Sequence, residues 1–112
     1  MAITNYSNTK NELEIALNRL DIIKDNKENL EVEKNLLENY VEKLKKCILE
    51  IEKNLKELTG IEYQLYYEVV VNGLNVTKAV DKVAYKYDKD VSTLWKSYYP
   101  NVKAKINLLK NH

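Results

Sequence analysis

Between Lys86 and Lys103 the chain spaces cations and hydroxyls as a phosphate-binding surface requires. Lys86, Lys89, Lys96 and Lys103 carry ammonium groups that neutralise phosphates, and Ser92, Thr93 and Ser97 carry hydroxyls that reach phosphate oxygens and base edges. At about 100° per residue, Lys89, Thr93 and Lys96 share one side of a helix over 90–99, with Ser92 and Ser97 on its flanks. Val91, Leu94, Trp95 and Tyr98 take the other side and are expected to be buried. The chemistry is non-covalent: a helix laid in the major groove of duplex nucleic acid. A solvated Lys-rich face is the plainer reading of the same residues.

Covalent chemistry has little to draw on. The one histidine is the last residue, His112, and the one cysteine, Cys47, has no His or acid constellation near it in sequence. A half-buried helix position accounts for Cys47. Zinc needs Cys/His clusters, and a phosphate loop needs more glycine than Gly60 and Gly73. Neither an enzyme, nor a cofactor, nor a metal is expected. The tyrosines at 63, 66, 67, 85, 87, 98 and 99 could stack on single-stranded nucleic acid. With Phe absent, they are better read as the core aromatics.

The totals point the same way. Formal net charge is only +1 over 112 residues. Residues 1–60 carry 10 basic and 12 acidic side chains, whereas residues 73–112 carry 8 Lys against 3 Asp. A basic C-terminal part favours an anionic partner. Arg19 is the only arginine, so bidentate Arg–guanine contacts are excluded from that part. A lone cysteine rules out an intrachain disulfide. The first residues lack the basic and apolar regions of a signal peptide, and no apolar run reaches the roughly 18–20 residues of a membrane span. The expectation is a soluble, cytoplasmic protein with no membrane partner.

The elements that must position the basic face follow from punctuation and periodicity. Gly60 stops a preceding helix, and Thr59 with Glu62 fits a capping box. Helix A is expected over about 61–71, with Ile61, Leu65, Val69 and one of Tyr66 or Tyr67 inward. Asn72-Gly73 ends it. Helix B starts at an Asn75 or Thr77 cap and runs to about Tyr87, burying Ala79, Val80, Val83, Ala84 and Tyr87. Its alanines let crossing helices approach closely. Helix C is expected to end near Tyr99, because the residue before Pro100 is biased away from helix. A last helix then buries Val102, Ile106 and Leu109.

The N-terminal half reads as a long helical arm. Ser7, Asn8 or Thr9 can cap it, and Thr9 with Glu12 fits a capping box. Leu13, Ala16, Leu20 and Ile23 begin an apolar stripe. Leu30, Leu37, Val41, Leu44, Ile48, Ile51 and Leu55 continue it with heptad character, and these are the candidate oligomerisation residues. One helix over about 9–58 is expected, about 75 Å long at 1.5 Å per residue. Lys27 and Lys34 weaken the seam, so a hairpin broken near Asp25 is the alternative. Tyr40 and Cys47 widen the stripe to three columns, which suits a bundle, an antiparallel pair or packing on the C-terminal unit. A homo-oligomer, with a dimer favoured, is expected.

The run Gly73-Leu74-Asn75-Val76-Thr77 through Val91-Ser92-Thr93-Leu94 resembles the helix-turn-helix of sigma-70 region 4. The chain is also similar to the small phage regulators of late transcription of the RinA and ArpU type, which pair a helical N-terminal half with such a unit. The resemblance implies double-stranded promoter DNA as partner, RNA polymerase as a further one, and Lys89, Ser92, Thr93 and Lys96 in recognition positions. The family's turn usually has Gly where this chain has Ala84, its turn is about one residue shorter than Tyr85–Asp90, and its recognition helices are richer in Arg. A related unit occurs in phage terminase small subunits, which bind DNA for packaging.

The expected fold is therefore all-α: an arm over 1–59, then a tri-helical helix-turn-helix unit with a terminal helix over 60–112. The expected function is sequence-specific DNA binding in transcription regulation. The alternatives are DNA binding in packaging, and a helical interaction or scaffold protein that binds no DNA.

Overall fold

The structure, a computed structural model, describes residues 5–25 and 31–110, all of them in helices and turns, with no strand among them. Helices α1 (Tyr6–Asp25) and α2 (Glu31–Glu57) form an antiparallel hairpin. One helix over 9–58 is thus replaced by the broken alternative. α1 ends at Asp25, where the alternative put the break, and α2 starts at Glu31; Lys27 lies outside the described residues.

Asn5, rather than Ser7, Asn8 or Thr9, caps α1. Its side-chain oxygen accepts from the Asn8 N–H at 3.0 Å, and its carbonyl accepts from the Thr9 hydroxyl at 2.7 Å. Thr9 is then free to sit in the core. Glu12 closes no capping box; it accepts from the Tyr40 hydroxyl at 2.9 Å and ties α1 to α2.

The wide stripe on α2 has two neighbours. Val41, Leu44, Cys47, Ile48 and Ile51 are buried within the chain, and Leu37 and Leu55 are half-buried against the same core. The residues expected to form an intermolecular seam are therefore covered by α1 on one side and by the C-terminal helices on the other. Leu30, the remaining member of that set, lies outside the described residues.

After α2 come α3 (Gly60–Tyr66), a π turn (Tyr67–Val71), α4 (Val76–Lys86), α5 (Val91–Thr93), a second π turn (Leu94–Tyr98) and α6 (Tyr99–Leu109). Thr59 makes no side-chain cap. Both π turns answer to spacing. The buried residues Leu65 and Val70 are five apart, and Leu94, Tyr98, Val102 and Ile106 are four apart. Residues four apart drift about 40° per step around an α-helix, and a wider i→i+5 turn takes up part of that drift. The first π turn puts Val70 rather than Val69 in the core.

The second π turn also carries the helix through Pro100, contrary to the expected stop at Tyr99. The Tyr99 N–H reaches back to the Leu94 carbonyl, and Pro100 sits in the first turn of α6, where a missing N–H costs least.

One cluster of buried residues runs from Ala16 and Leu20 through Leu44, Cys47 and Ile51 to Leu65, Tyr66, Val83, Leu94 and Leu109, across the expected boundary at 59/60. The described body measures 61 × 21 × 19 Å. The contacts of the C-terminal helices with the hairpin gather at its open end, where Tyr66 meets Asn54, Lys105 meets Glu57, and Gly73 meets Asn5. No described helix is long and apolar enough to cross a membrane.

Candidate nucleic-acid interface

The basic residues are positioned by α4, the turn after it and the helix that follows. Asn75 caps α4 by accepting from the Lys78 N–H at 2.8 Å. Ala79 and Ala84 are buried with Val80 and Val83, as the close-packed inner face of α4 requires. Glu68 anchors the outer edge: it is 6% exposed and paired with Lys82 at 3.0 Å.

The turn is set by Asp88. Its φ of 52° is the only positive value outside glycine among the described residues. The Lys89 N–H reaches the Ala84 carbonyl at 2.9 Å, and the Asp88 N–H reaches that of Tyr85 at 3.3 Å. This is the paired 6→1 and 5→2 closure of a Schellman motif, with Asp in the place glycine usually takes. The left-handed residue therefore lies four positions after Ala84, where the resemblance would have put a glycine. The Asp90 carbonyl then accepts from Thr93 at 3.0 Å and starts α5.

Lys86, Lys89, Ser92, Lys96 and Ser97 are all exposed along this turn and helix. Thr93 departs from expectation: it is half-buried and turned partly toward the core. None of Lys86, Lys89, Lys96 and Lys103 is in an ion pair among the described residues. Lys82 and Lys105, by contrast, are engaged with Glu68 and Glu57. The acidic groups of this region, Asp81, Asp88 and Asp90, are exposed and temper its charge.

Lys103 stands apart from the other candidates. It lines a cavity of about 620 Å3 with Asn5, Gly73, Asn75, Tyr99 and Lys110, between the start of α1 and α6. Spacing along the sequence could not show that the beginning of the chain reaches this place.

Two residues of the exposed helix were assigned to the core by periodicity and are not there. Val91 is 40% exposed and Trp95 37% exposed, and the Trp95 ring meets Tyr99 edge-on at 4.9 Å. Of that expected apolar side, Leu94 is fully buried and Tyr98 half-buried. Leu94 and Tyr98 serve the core, while Val91 and Trp95 are exposed with Ser92 and Lys96.

The groups with nucleophilic character lie in the core, away from this face. Cys47 is fully buried rather than half-buried, and burial pushes its thiol up to about 11. Burial likewise pushes the Tyr66 hydroxyl up to about 12, against the opposing hydrogen bond from Asn54. Both groups are therefore protonated at neutral pH. Tyr66 is the one fully buried tyrosine of the seven from 63 to 99, and Tyr85 is 91% exposed. Among the described residues no cluster of His, Cys, Asp and Glu could hold a metal ion; His112 lies outside them. The chain matches no protein-family model, no curated protein and no solved structure.

Proposed function

We propose that this chain binds duplex DNA as a transcriptional regulator, using a sigma-70 region 4-like helix-turn-helix formed by α4 and the helix from Val91 onward. The observation that carries the reading is the row of lysines and serines at 86, 89, 92, 96 and 97. It runs from the end of α4 through a tight turn into the next helix, lies exposed, and its lysines have no carboxylate partner among the described residues. Such a row neutralises phosphates and offers hydroxyls to the groove. Promoter DNA in the cytoplasm is the partner this reading requires, and the α1–α2 hairpin is left to contact RNA polymerase or a second copy. The direct test is salt-dependent binding to duplex DNA by the wild type and by Lys89→Ala/Lys96→Ala.

A second reading rests on a different observation. Val91 and Trp95 make the exposed helix partly apolar, and Tyr85 and Leu108 are also exposed. A helix-turn-helix unit kept as a protein-binding surface would use these residues and not the lysines. It predicts a helical interaction protein with no duplex affinity at any salt concentration.

A further inference from the structure

The cavity between the start of α1 and α6 has charge of one sign only. Lys103 and Lys110 stand two helical turns apart, with Asn107 between them, and all three line it. Neither lysine is in an ion pair among the described residues. No Asp or Glu is among the described residues that line the cavity.

Two asparagines bring donors to the same space. Asn5 and Asn75 both line it, and both commit their side-chain oxygens to helix caps. That of Asn5 accepts from the Asn8 N–H at 3.0 Å, and that of Asn75 from the Lys78 N–H at 2.8 Å. The other end of each amide is an NH2 group, a double donor. The Asn5 NH2 lies over Gly73, also part of the lining, where a Cβ would come within 2.6 Å of it. The missing side chain at Gly73 is therefore what makes room for this donor.

The rest of the lining is apolar. Leu74, Val76 and the buried Ile106 form a wall. Tyr99 adjoins it and meets the Trp95 ring edge-on at 4.9 Å. The volume of about 620 Å3 is that of a small-molecule site, on the order of 300–1,000 Å3.

We infer that this cavity binds a phosphate monoester with an aromatic body, of the size of a nucleoside monophosphate. Lys103 and Lys110 neutralise the phosphate, and the asparagine amides donate to its oxygens. The body lies against Leu74, Val76, Ile106 and the Tyr99 ring. Two ammonium groups without an acid favour a group carrying close to two charges at neutral pH, as a phosphate monoester does; a monocarboxylate leaves one lysine unmatched. A phosphate of a DNA backbone offers the same oxygens to the same lysines, with a single charge and no body for the wall. The inference does not rest on DNA binding, since neither Lys89 nor Lys96 lines the cavity.

The emission of Trp95, the single tryptophan, reports occupancy through its contact with Tyr99. The full-length chain is titrated with adenosine 5′-monophosphate, thymidine 5′-monophosphate, adenosine and inorganic phosphate, with calorimetry alongside. The monophosphates are expected to bind at least about tenfold more tightly than adenosine, which lacks the charged group, and than inorganic phosphate, which lacks the body. Lys103→Gln/Lys110→Gln is expected to weaken them by about tenfold or more. Its helical circular dichroism spectrum should be unchanged, because both side chains are exposed. Lys89→Ala/Lys96→Ala is expected to leave nucleotide affinity as it is, and Lys103→Gln/Lys110→Gln to leave any duplex affinity as it is. A chain that binds nucleotide and no duplex supports this inference and removes only the DNA reading. Absence of saturable binding by either monophosphate overturns it, as does equal affinity for adenosine or indifference to Lys103→Gln/Lys110→Gln. Loss of duplex affinity in that variant, without any response of the wild type to nucleotide, assigns the lysines to a DNA backbone and also overturns it.

Discussion

The Asn54 side-chain amide donates a 3.0 Å hydrogen bond to the Tyr66 hydroxyl, and neither residue is more than 1% exposed. This bond joins α2 to α3 at the place where the hairpin meets the C-terminal helices. No buried side-chain polar atom among the described residues lacks a partner, so the pair is satisfied only as a pair.

Removing one member strands the other. Tyr66→Phe leaves a buried amide without its acceptor and is expected to cost about 1–3 kcal/mol in urea unfolding. The double variant Asn54→Leu/Tyr66→Phe is expected to lose less than the sum of the two single losses. Strict additivity would show that the two side chains do not depend on one another.

Alkali should unfold the protein before it harms an exposed surface. The Cys47 thiol rises from about 9 in the unfolded chain to about 11 when folded, and the Tyr66 hydroxyl from about 10 to about 12. Each folded pKa lies above its unfolded value. Their contribution is complete below pH 9 and is lost progressively between pH 9 and 12, as the unfolded chain sheds protons that the folded chain holds. Thermal melts should be level on the acid side of this window and fall through it. Cys47→Ala is expected to move the onset of the fall upward. Rapid modification of Cys47 by a thiol reagent in the native protein would contradict its burial.

The turn offers a test of backbone strain. Asp88 sits at φ 52°, where a side chain costs roughly 1–2 kcal/mol and glycine nothing. Asp88→Gly is therefore expected to stabilise the fold by about 1 kcal/mol, less the flexibility it adds to the unfolded chain. Asp88→Val should destabilise it. At the preceding turn the reverse holds: Gly73 has φ +73°, and a Cβ there would come within 2.6 Å of the Asn5 amide nitrogen. Gly73→Ala should lower the melting temperature measurably more than Gly60→Ala, whose Cβ meets nothing within 4 Å.

Much of this fold was legible in the residues themselves. The all-helical class, the inner face of α4 at Ala79, Val80, Val83 and Ala84, and the Asn75 cap follow from periodicity and cap chemistry. Three features did not. The cap of α1 moved to Asn5 because Thr9 was drawn into the core. The α2 stripe looked intermolecular because heptads do not say whether their partner is another chain or an earlier helix of the same one. Val91 and Trp95 fall inward on a uniform 100° wheel, whereas of that side the core takes only Leu94 and, in part, Tyr98. In the candidate interface the lysines at 86, 89 and 96 and the serines at 92 and 97 were readable, since their exposure needs only a helix; the orientation of Thr93 and the placement of Lys103 in a cavity needed the packing.

If Val91 and Trp95 belong to a protein-binding surface, Trp95→Ala should abolish partner capture and leave duplex affinity unchanged. If they lie in the groove, Trp95→Ala should weaken duplex binding and do so most on thymine-containing sites, whose methyl groups make apolar contacts. Fluorescence of Trp95, the single tryptophan, reports contact in either case.

Duplex binding is measured by fluorescence anisotropy of labelled DNA, on random and AT-rich sequences, at low and physiological salt. Clear binding is expected at low salt, falling by orders of magnitude between about 50 and about 200 mM, as displaced counterions require. A shallower salt slope, by roughly two phosphate contacts, is expected in folded Lys89→Ala/Lys96→Ala. A folded wild type that binds no duplex at low salt, or a double variant with unchanged affinity and slope, would contradict the proposed function.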